Sequence, residues 1–304
     1  MSEPIKNRSE ILFLYDVENA NPNGDPLNEN RPRFDSESDT VLVTDVRLKR
    51  TIRDYWYEYE GFNGKDGKDI FVRETKYIGE DGKEYIKDGK RRAKDFDEDV
   101  DKILDSCIDV RVFGGVIPLE DDSITKTGPV QFQMGRSLNK TEIIEEQGTG
   151  AFASGDKKTQ STFRTEYKVP YAIIGFNGVI NEKAAQYTRM TEEDKELLKK
   201  GIWEGTKNLI SRSKFGQTPL LLMIIDYKEP FYIGNLRQRL KLDTGDKNEL
   251  QLRSVNDYKI DVTDVLNELK KHKDKIAGIY FRKDPRLKLI YNGQEIDNIS
   301  VNEL

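Results

Sequence analysis

Hydrophobic and polar positions alternate along this chain in a sequence of recognisable elements. Ile11 to Tyr15 is apolar at every position, as expected of a central strand buried on both faces. Glu18 to Thr40 is a turn-rich stretch holding most of the early Asn, Pro, Gly and Asp. Thr44 then stands as an N-cap before Leu48, Ile52, Tyr55, Trp56 and Tyr59, which recur at helical spacing. Gly61 to Asp95 shifts to Gly, Lys, Asp and Glu. Its turns at Asp66-Gly67-Lys68, Asp81-Gly82-Lys83 and Lys87 to Lys90 predict a hairpin-rich insertion projecting from the body. Phe96, Val100, Ile103 and Leu104 mark a short returning helix. Ile108, Val110 and Val112 alternate with Asp109 and Arg111, and Val130, Phe132 and Met134 alternate with Gln131 and Gln133; both patterns predict strands with the apolar set inward. Ser137 to Thr165 is polar, carries Gly148, Gly150 and Gly155, and predicts a flexible protruding loop. Tyr167 to Phe176 predicts a strand, Thr191 starts a helix through Leu197, Leu198, Ile202, Trp203, Leu209 and Ile210, and Pro219 to Tyr227 is a second buried strand. The tail adds a helix with Val262, Val265, Leu266 and Leu269 on one face, then strands near Ile276 to Phe281 and Leu287 to Tyr291.

Setting aside the two excursions, the order through Tyr227 is close to β-α-β-β-α-β. That is the split βαβ, ferredoxin-like arrangement, so the expected class is α+β in one body. A length of 304 residues gives ample chain for a core. The longest apolar run, Leu220 to Ile225, is far short of the roughly 20 residues of a membrane helix, and the polar Met1 to Glu10 is unlike a signal peptide. A single cysteine, Cys107, rules out an internal disulfide or a cysteine-based zinc site, and a single histidine, His272, removes the histidine pairs on which most hydrolytic mechanisms depend. These features lead us to expect a soluble cytoplasmic protein. The net charge of −5 argues mildly against a nucleic-acid partner, but binding depends on where the cations sit rather than on their sum.

Several segments carry candidate chemistry. The turn Asp16 to Pro26, rich in Asn, Pro, Gly and Asp, offers side chains and amides suited to phosphate or sugar, and reads equally as a structural turn. Its neighbours Asp35, Asp39 and Asp45 give only a weak metal signal. On the following helix, Arg47, Lys49, Arg50 and Arg53 form the densest basic face outside the insertion, with Asp45 and Asp54 beside them; a solvated face is the alternative. Gln131, Gln133 and Arg136 are expected to line the open face of the sheet. Phe152, Lys157, Lys158, Phe163 and Arg164 sit on the polar loop, where aromatics can wedge between bases and cations can screen phosphate. Ser211 to Gln217 is either a phosphate cradle or a simple connection. No Gly-rich element fits a nucleotide-binding loop.

Asp16-Val-Glu-Asn-Ala-Asn-Pro-Asn-Gly-Asp25, Val43 to Asp54, Val112-Phe-Gly-Gly115, Gly128 to Ser137, Val169-Pro-Tyr-Ala172 and Arg212-Ser-Lys214, in this order, resemble the repeated backbone subunit of type I CRISPR Cascade complexes. More narrowly they are similar to the Csh and Csd branch of the Cas-seven family, with type I-B the closest. The resemblance runs from about residue 10 to residue 230. It implies a modified RNA-recognition-motif palm over residues 1–60, 96–138 and 166–304, a fingers insertion at 61–95 and a thumb at 139–165. It implies a non-catalytic subunit that needs no cofactor and no metal. Its partners would be CRISPR RNA, target DNA through the guide, further copies of itself stacked head to tail, and other Cascade subunits, with no membrane. Matching motif positions places RNA contact at Asn19, Asn21, Asn23, Arg47, Lys49, Arg50, Gln131, Gln133, Met134, Arg136 and Lys214. The protein would read backbone and shape while base pairing supplies sequence specificity. Base stacking on the sheet is not expected, because the strands lack the usual aromatic signatures.

Two other readings stay open on sequence alone. Backbone subunits of type III complexes resemble metal-dependent ribonucleases that use an aspartate after the first strand, and Asp25, Asp35 or Asp39 would fill that place here. A protein-only interaction module would instead pair the basic helix face with acidic partners.

Overall fold

The computed structural model describes residues 3–120, 122–153 and 161–303. Its centre is an antiparallel sheet built from β1 (Ser9–Ala20), β2 (Thr40–Val43), β3 (Val130–Phe132), β4 (Gly135–Ser137), β5 (Ile144–Ala153), β6 (Ser161–Ile180), β7 (Gln217–Tyr227) and β8 (Ile276–Lys283). The order is β8-β7-β1-β6-β4-β2, extended at the last edge by Phe34–Asp35, with β3 and β5 also pairing β6. β1 lies between β6 and β7, with Phe13 opposite Phe176 on one side and Leu222 on the other. Its run of apolar residues is therefore buried on both faces, as the sequence pattern predicts.

Alternation along β1 divides the interior in two. Ile11, Phe13, Tyr15 and Val17 join Leu222 and Ile224 of β7 on the face covered by α1 (Asp45–Tyr59) and α2 (Glu192–Lys207), which add Leu48, Ile52, Trp56, Leu198, Ile202 and Trp203. Leu12 and Leu14 join Leu221, Met223 and Ile225 on the opposite face, which is covered by the tail: Leu236, Leu252, Val255, Tyr258, and Val265 and Leu269 of α3 (Thr263–Lys271). The two helices approach closely because Gly201 has no side chain. A Cβ there would fall 2.7 Å from Ile52 and 3.1 Å from the Trp56 indole nitrogen, which itself donates to the Leu197 carbonyl at 2.9 Å.

Thr44 caps α1 as expected, its hydroxyl accepting from the Arg47 amide. The insertion is rooted in the interior by Phe62, Ile70 and Phe71, and its hairpin (Lys76–Ile78 with Glu84–Ile86) exposes Ile78 and Ile86. The turn expected at Lys87 to Lys90 is instead a helix start, with Asp88 capping Gly89–Lys94.

Three further expectations need correction. Ile108–Phe113 is a helix, not a strand, and it is buried nearly all round. Asp109, the position that alternation would turn outward, is fully buried and accepts from Arg53 Nε at 2.9 Å and from the Phe71 and Val72 amides. A hairpin then follows (Gly114–Pro118 with Ser123–Thr127) that no sequence pattern announced. Ser137 to Thr165 is not a loop but largely the β5–β6 hairpin; the side chains of Phe152, Lys157, Lys158, Phe163 and Arg164 lie outside the described residues. Met134 does not face the core: the strand breaks after Phe132 and resumes at Gly135, whose missing Cβ makes room for the Phe176 ring, and Met134 between them is 51% exposed. Among the described residues, no helix is long and apolar enough to cross a membrane.

Candidate nucleic-acid interface

The end of β1 meets a loop from far along the chain. The Glu18 amide donates to the Gly216 carbonyl and the Asn21 amide to the Ser213 carbonyl, both at 2.8 Å. Gly216 makes this contact possible: its φ is +113°, and a Cβ would lie 2.3 Å from the Glu18 carbonyl oxygen. The pairing carries Lys214 to Asn21, where its Nζ donates to the backbone carbonyl at 2.6 Å. Asn21 in turn donates through Nδ2 to the Asn30 carbonyl at 2.7 Å. Asn23 Oδ1 accepts from both the amide and the hydroxyl of Thr44, at 2.8 and 2.9 Å. That bond fastens the turn to the first turn of α1 and brings Arg47 beside Lys214.

The electrostatics of this junction are unusual. Burial pushes Lys214 down to about 8, and the nearby Arg47 charge adds to the fall. Arg47 is itself lowered, by burial first, with Asp54 opposing and Arg50 reinforcing. Its Nη2 donates to Thr51 at 3.0 Å and lies 3.8 Å from Asp54. Asn21 Oδ1 and the Nε atoms of Arg31, Arg33 and Arg47 are buried without a hydrogen-bond partner. A buried donor without an acceptor costs about 1–3 kcal/mol unless a ligand satisfies it. Cations and open donors gathered this way suit an anion.

The other expected site residues distribute as follows. Lys49 is held by Asp45 at 3.1 Å and Gln131 at 3.2 Å, and Arg50 by Asp54 at 2.6 Å. With Arg53 on buried Asp109, the basic face of α1 is largely neutralised from within. Asn19 is exposed in a left-handed conformation (φ 48°). The tail covers the sheet over β1 and β7, while Gln131 and Gln133, at and just beyond β3, are both exposed. There they line a groove of about 870 Å³ with Arg8, Asn177 and Asn181, walled by Tyr232 to Asn235. Gln133 accepts from Asn177 at 3.1 Å. Glu10 holds that wall by accepting from the Ile233 and Gly234 amides, and burial raises its carboxyl above the usual range. Arg136 is gripped by Asp35 at 2.5 Å, with Ser38 and Thr40, and the bond to Arg136 holds Asp35 down at about 2.

Structure thus brings Asn21, Asn23, Arg47 and Lys214 together, and separately Lys49 with Gln131. Arg31, Arg33 and Arg237 are cations that the motifs do not single out. Arg31 stacks 4.2 Å over the Tyr167 ring, which ties the 24–32 hairpin to β6. Arg237 packs over Gly175, its guanidinium lowered by burial and by Arg136. Arg31 and Arg33 were visible in the turn-rich stretch as cations, whereas nothing near Arg237 in the tail signals a role.

Asp25 accepts from Arg33 and Asp35 from Arg136, while Asp39 lies 3.9 Å from Lys140. Among the described residues no three His, Cys, Asp or Glu side chains gather in a way that could hold a metal ion.

Chains from solved structures described as "CRISPR RNA-guided surveillance complex, pre-nicking" and "CRISPR RNA-guided surveillance complex" align with TM-scores of 0.47 and 0.46. Their identities are 11% and 12%, each covers 88% of this chain, and 88% and 82% of their own lengths are matched. A curated "CRISPR-associated protein Cas7" of Haloferax volcanii is 35% identical over 310 aligned residues, which span 93% of this chain and 88% of that protein. The family model "CRISPR-associated protein Cas7" matches residues 7–263, which include the Asn21–Lys214 junction and the groove. The chain belongs to the CRISPR-associated Cas7 family.

Proposed function

We propose that this chain is a non-catalytic, CRISPR RNA-binding backbone subunit of a type I Cascade complex, with type I-B its nearest kind. The observation that carries it is the junction of Arg47 and Lys214: two half-buried cations side by side, with open donors around them, in a protein of net charge −5. Such a cluster is costly in the free protein and favourable only against an anion. The strand order β7-β1-β6-β3, with α1 and α2 on one face, supports an RNA-recognition-motif palm over residues 1–60, 96–138 and 166–304. The tail covers the face on which bases would stack in an open motif, which supports a protein that grips backbone rather than bases. The exposed hairpin within 61–95 supports fingers, and the β5–β6 hairpin supports a thumb at 139–165 that interrupts the guide at intervals. Copies then stack head to tail along the guide beside other Cascade subunits in the cytoplasm, and the guide pairs with target DNA.

Asp25 and Asp35 neutralise arginines instead of converging, so no observation favours a metal-dependent ribonuclease. The test is charge reversal. R47E with K214E should weaken binding of a single-stranded RNA by about 100-fold or more, since the reversed contacts sit on phosphate, with the circular-dichroism melt retained. Unchanged binding in a folded variant would remove this junction from the site.

A further inference from the structure

The environment of Lys214 goes further than simple attraction. The elements around it bring charged or titratable groups, and among the described residues none of their carboxylates pairs with it. From α1 come Arg47, Arg50 and Asp54, and Asp54 binds Arg50 at 2.6 Å and lies 3.8 Å from Arg47. From β1 come the Tyr15 phenol, fully buried and raised far above its usual value, and Glu18 at the exposed end. From the 24–33 turn come Arg31 and Arg33, paired with Glu29 at 3.2 Å and Asp25 at 3.3 Å. From β6 come Glu166 and Lys168, and Glu166 binds Arg212 of the Lys214 loop at 2.7 Å and lies 3.6 Å from Lys168. Among the described residues no ion pair reaches Lys214; the bond its ammonium makes is to the neutral Asn21 carbonyl.

We propose that Arg47 and Lys214 seat one backbone phosphate of the RNA between them, and that seating it draws a proton onto Lys214, so that guide binding by this chain is proton-linked. This rests on the RNA-binding function above. A half-buried amine beside a guanidinium, with no acid to balance it, holds its proton weakly. Its value of about 8 means that a substantial part of the population is neutral at mildly alkaline pH. A phosphodiester anion reverses both causes at once, supplying the missing counter-charge and screening Arg47. The amine is then restored to an ordinary lysine value, and the proton comes from solvent.

Linkage sets the sign. The complex binds more protons than the free components between the free and bound values of Lys214, so affinity falls as pH rises above about 8. The fall should be about tenfold between pH ~7.5 and ~9.5 at constant ionic strength, below the range where ordinary lysines titrate.

The test uses the full chain and a fluorescein-labelled single-stranded RNA of about 30 nucleotides, followed by anisotropy across that pH range. Titration calorimetry at about pH 8 in two buffers of different ionisation enthalpy reads proton uptake directly in the unmodified protein. The expected result is net uptake of a fraction of a proton and a falling affinity, with the pH slope lost in K214R, whose guanidinium stays charged throughout. RNA binding with a flat pH profile and no buffer dependence would overturn proton linkage alone. An unchanged slope in K214R would overturn its assignment to Lys214. RNA that fails to bind at any pH would overturn the RNA-binding function itself.

Discussion

Lys214 donates its ammonium proton to the backbone carbonyl of Asn21 at 2.6 Å, joining positions 193 residues apart. Neither partner carries a compensating charge, and Arg47 stands beside them. The chain's early turn and its late loop thus meet at one point, held there by the Glu18–Gly216 and Asn21–Ser213 backbone pairs. A junction of this kind is electrostatically poor in the free protein, and an anion would compensate it.

Replacing Lys214 by Met should separate those two quantities. Below about pH 8 the native state holds a charged amine at a disadvantage relative to the unfolded chain, so its removal stabilises the free protein. We expect Tm to rise by about 2–4 °C while RNA affinity at neutral pH drops about tenfold. A fall in Tm would show that the aliphatic stem and the Asn21 bond outweigh the buried charge.

Asn23 acts one step away. Its Oδ1 is the acceptor for both Thr44 donors, so Asn23→Ala leaves them unpaired at the start of α1. The cost should be about 1–2 kcal/mol by urea unfolding. Asn23→Asp keeps the acceptor and should lose much less. Equal losses would assign the effect to the turn's conformation rather than to the bond.

Gly201 tests the packing of α1 against α2. Adding a branched side chain in Gly201→Val drives into Ile52 and Trp56, and overpacking of this kind costs about 1–3 kcal/mol. The urea midpoint should fall with an unchanged slope. A wild-type midpoint would mean that the helices separate freely.

Asp16 gives a pH signature on the other side of the sheet. It is buried under the tail, accepts from Tyr171 at 2.9 Å, and burial raises it to about 6 against an ordinary 3.8, with the Tyr171 bond and Arg286 opposing. Between those values the native state binds more protons than the unfolded chain. Its contribution is therefore present below the unfolded value and is lost as pH rises through about 6. Asp16→Asn should remove that part of the stability–pH profile and stabilise the protein at pH ~7. Wild-type and variant profiles that run parallel between pH ~4 and ~7 would contradict it.

Elements with a strong single period were legible from sequence. β1 and β7 announced themselves as continuous apolar runs, and Thr44 with Leu48, Ile52 and Trp56 marked α1. Short runs failed where two periods fit equally. Ile108, Val110 and Val112 alternate like a strand, yet Asp109 also points inward because Arg53 and two backbone amides satisfy it, and no local pattern reveals such a remote partner. The β5–β6 hairpin looks like a loop in sequence because its polar residues give no two-sided contrast in hydropathy. At the site, Asn21, Arg47 and Lys214 could be named from motifs, but their convergence depends on Gly216 meeting Glu18, a long-range contact. Arg237 had no signal at all, since it acquires its place only when the tail folds over Gly175.

In the proposed function this chain grips a guide RNA as part of a larger assembly. The most direct test is to purify it from cells expressing a CRISPR array together with its companion subunits, and to sequence the RNA that accompanies it. Array-derived guides in a high-mass particle are the predicted result. Protein free of RNA at monomer mass under those conditions would contradict the account.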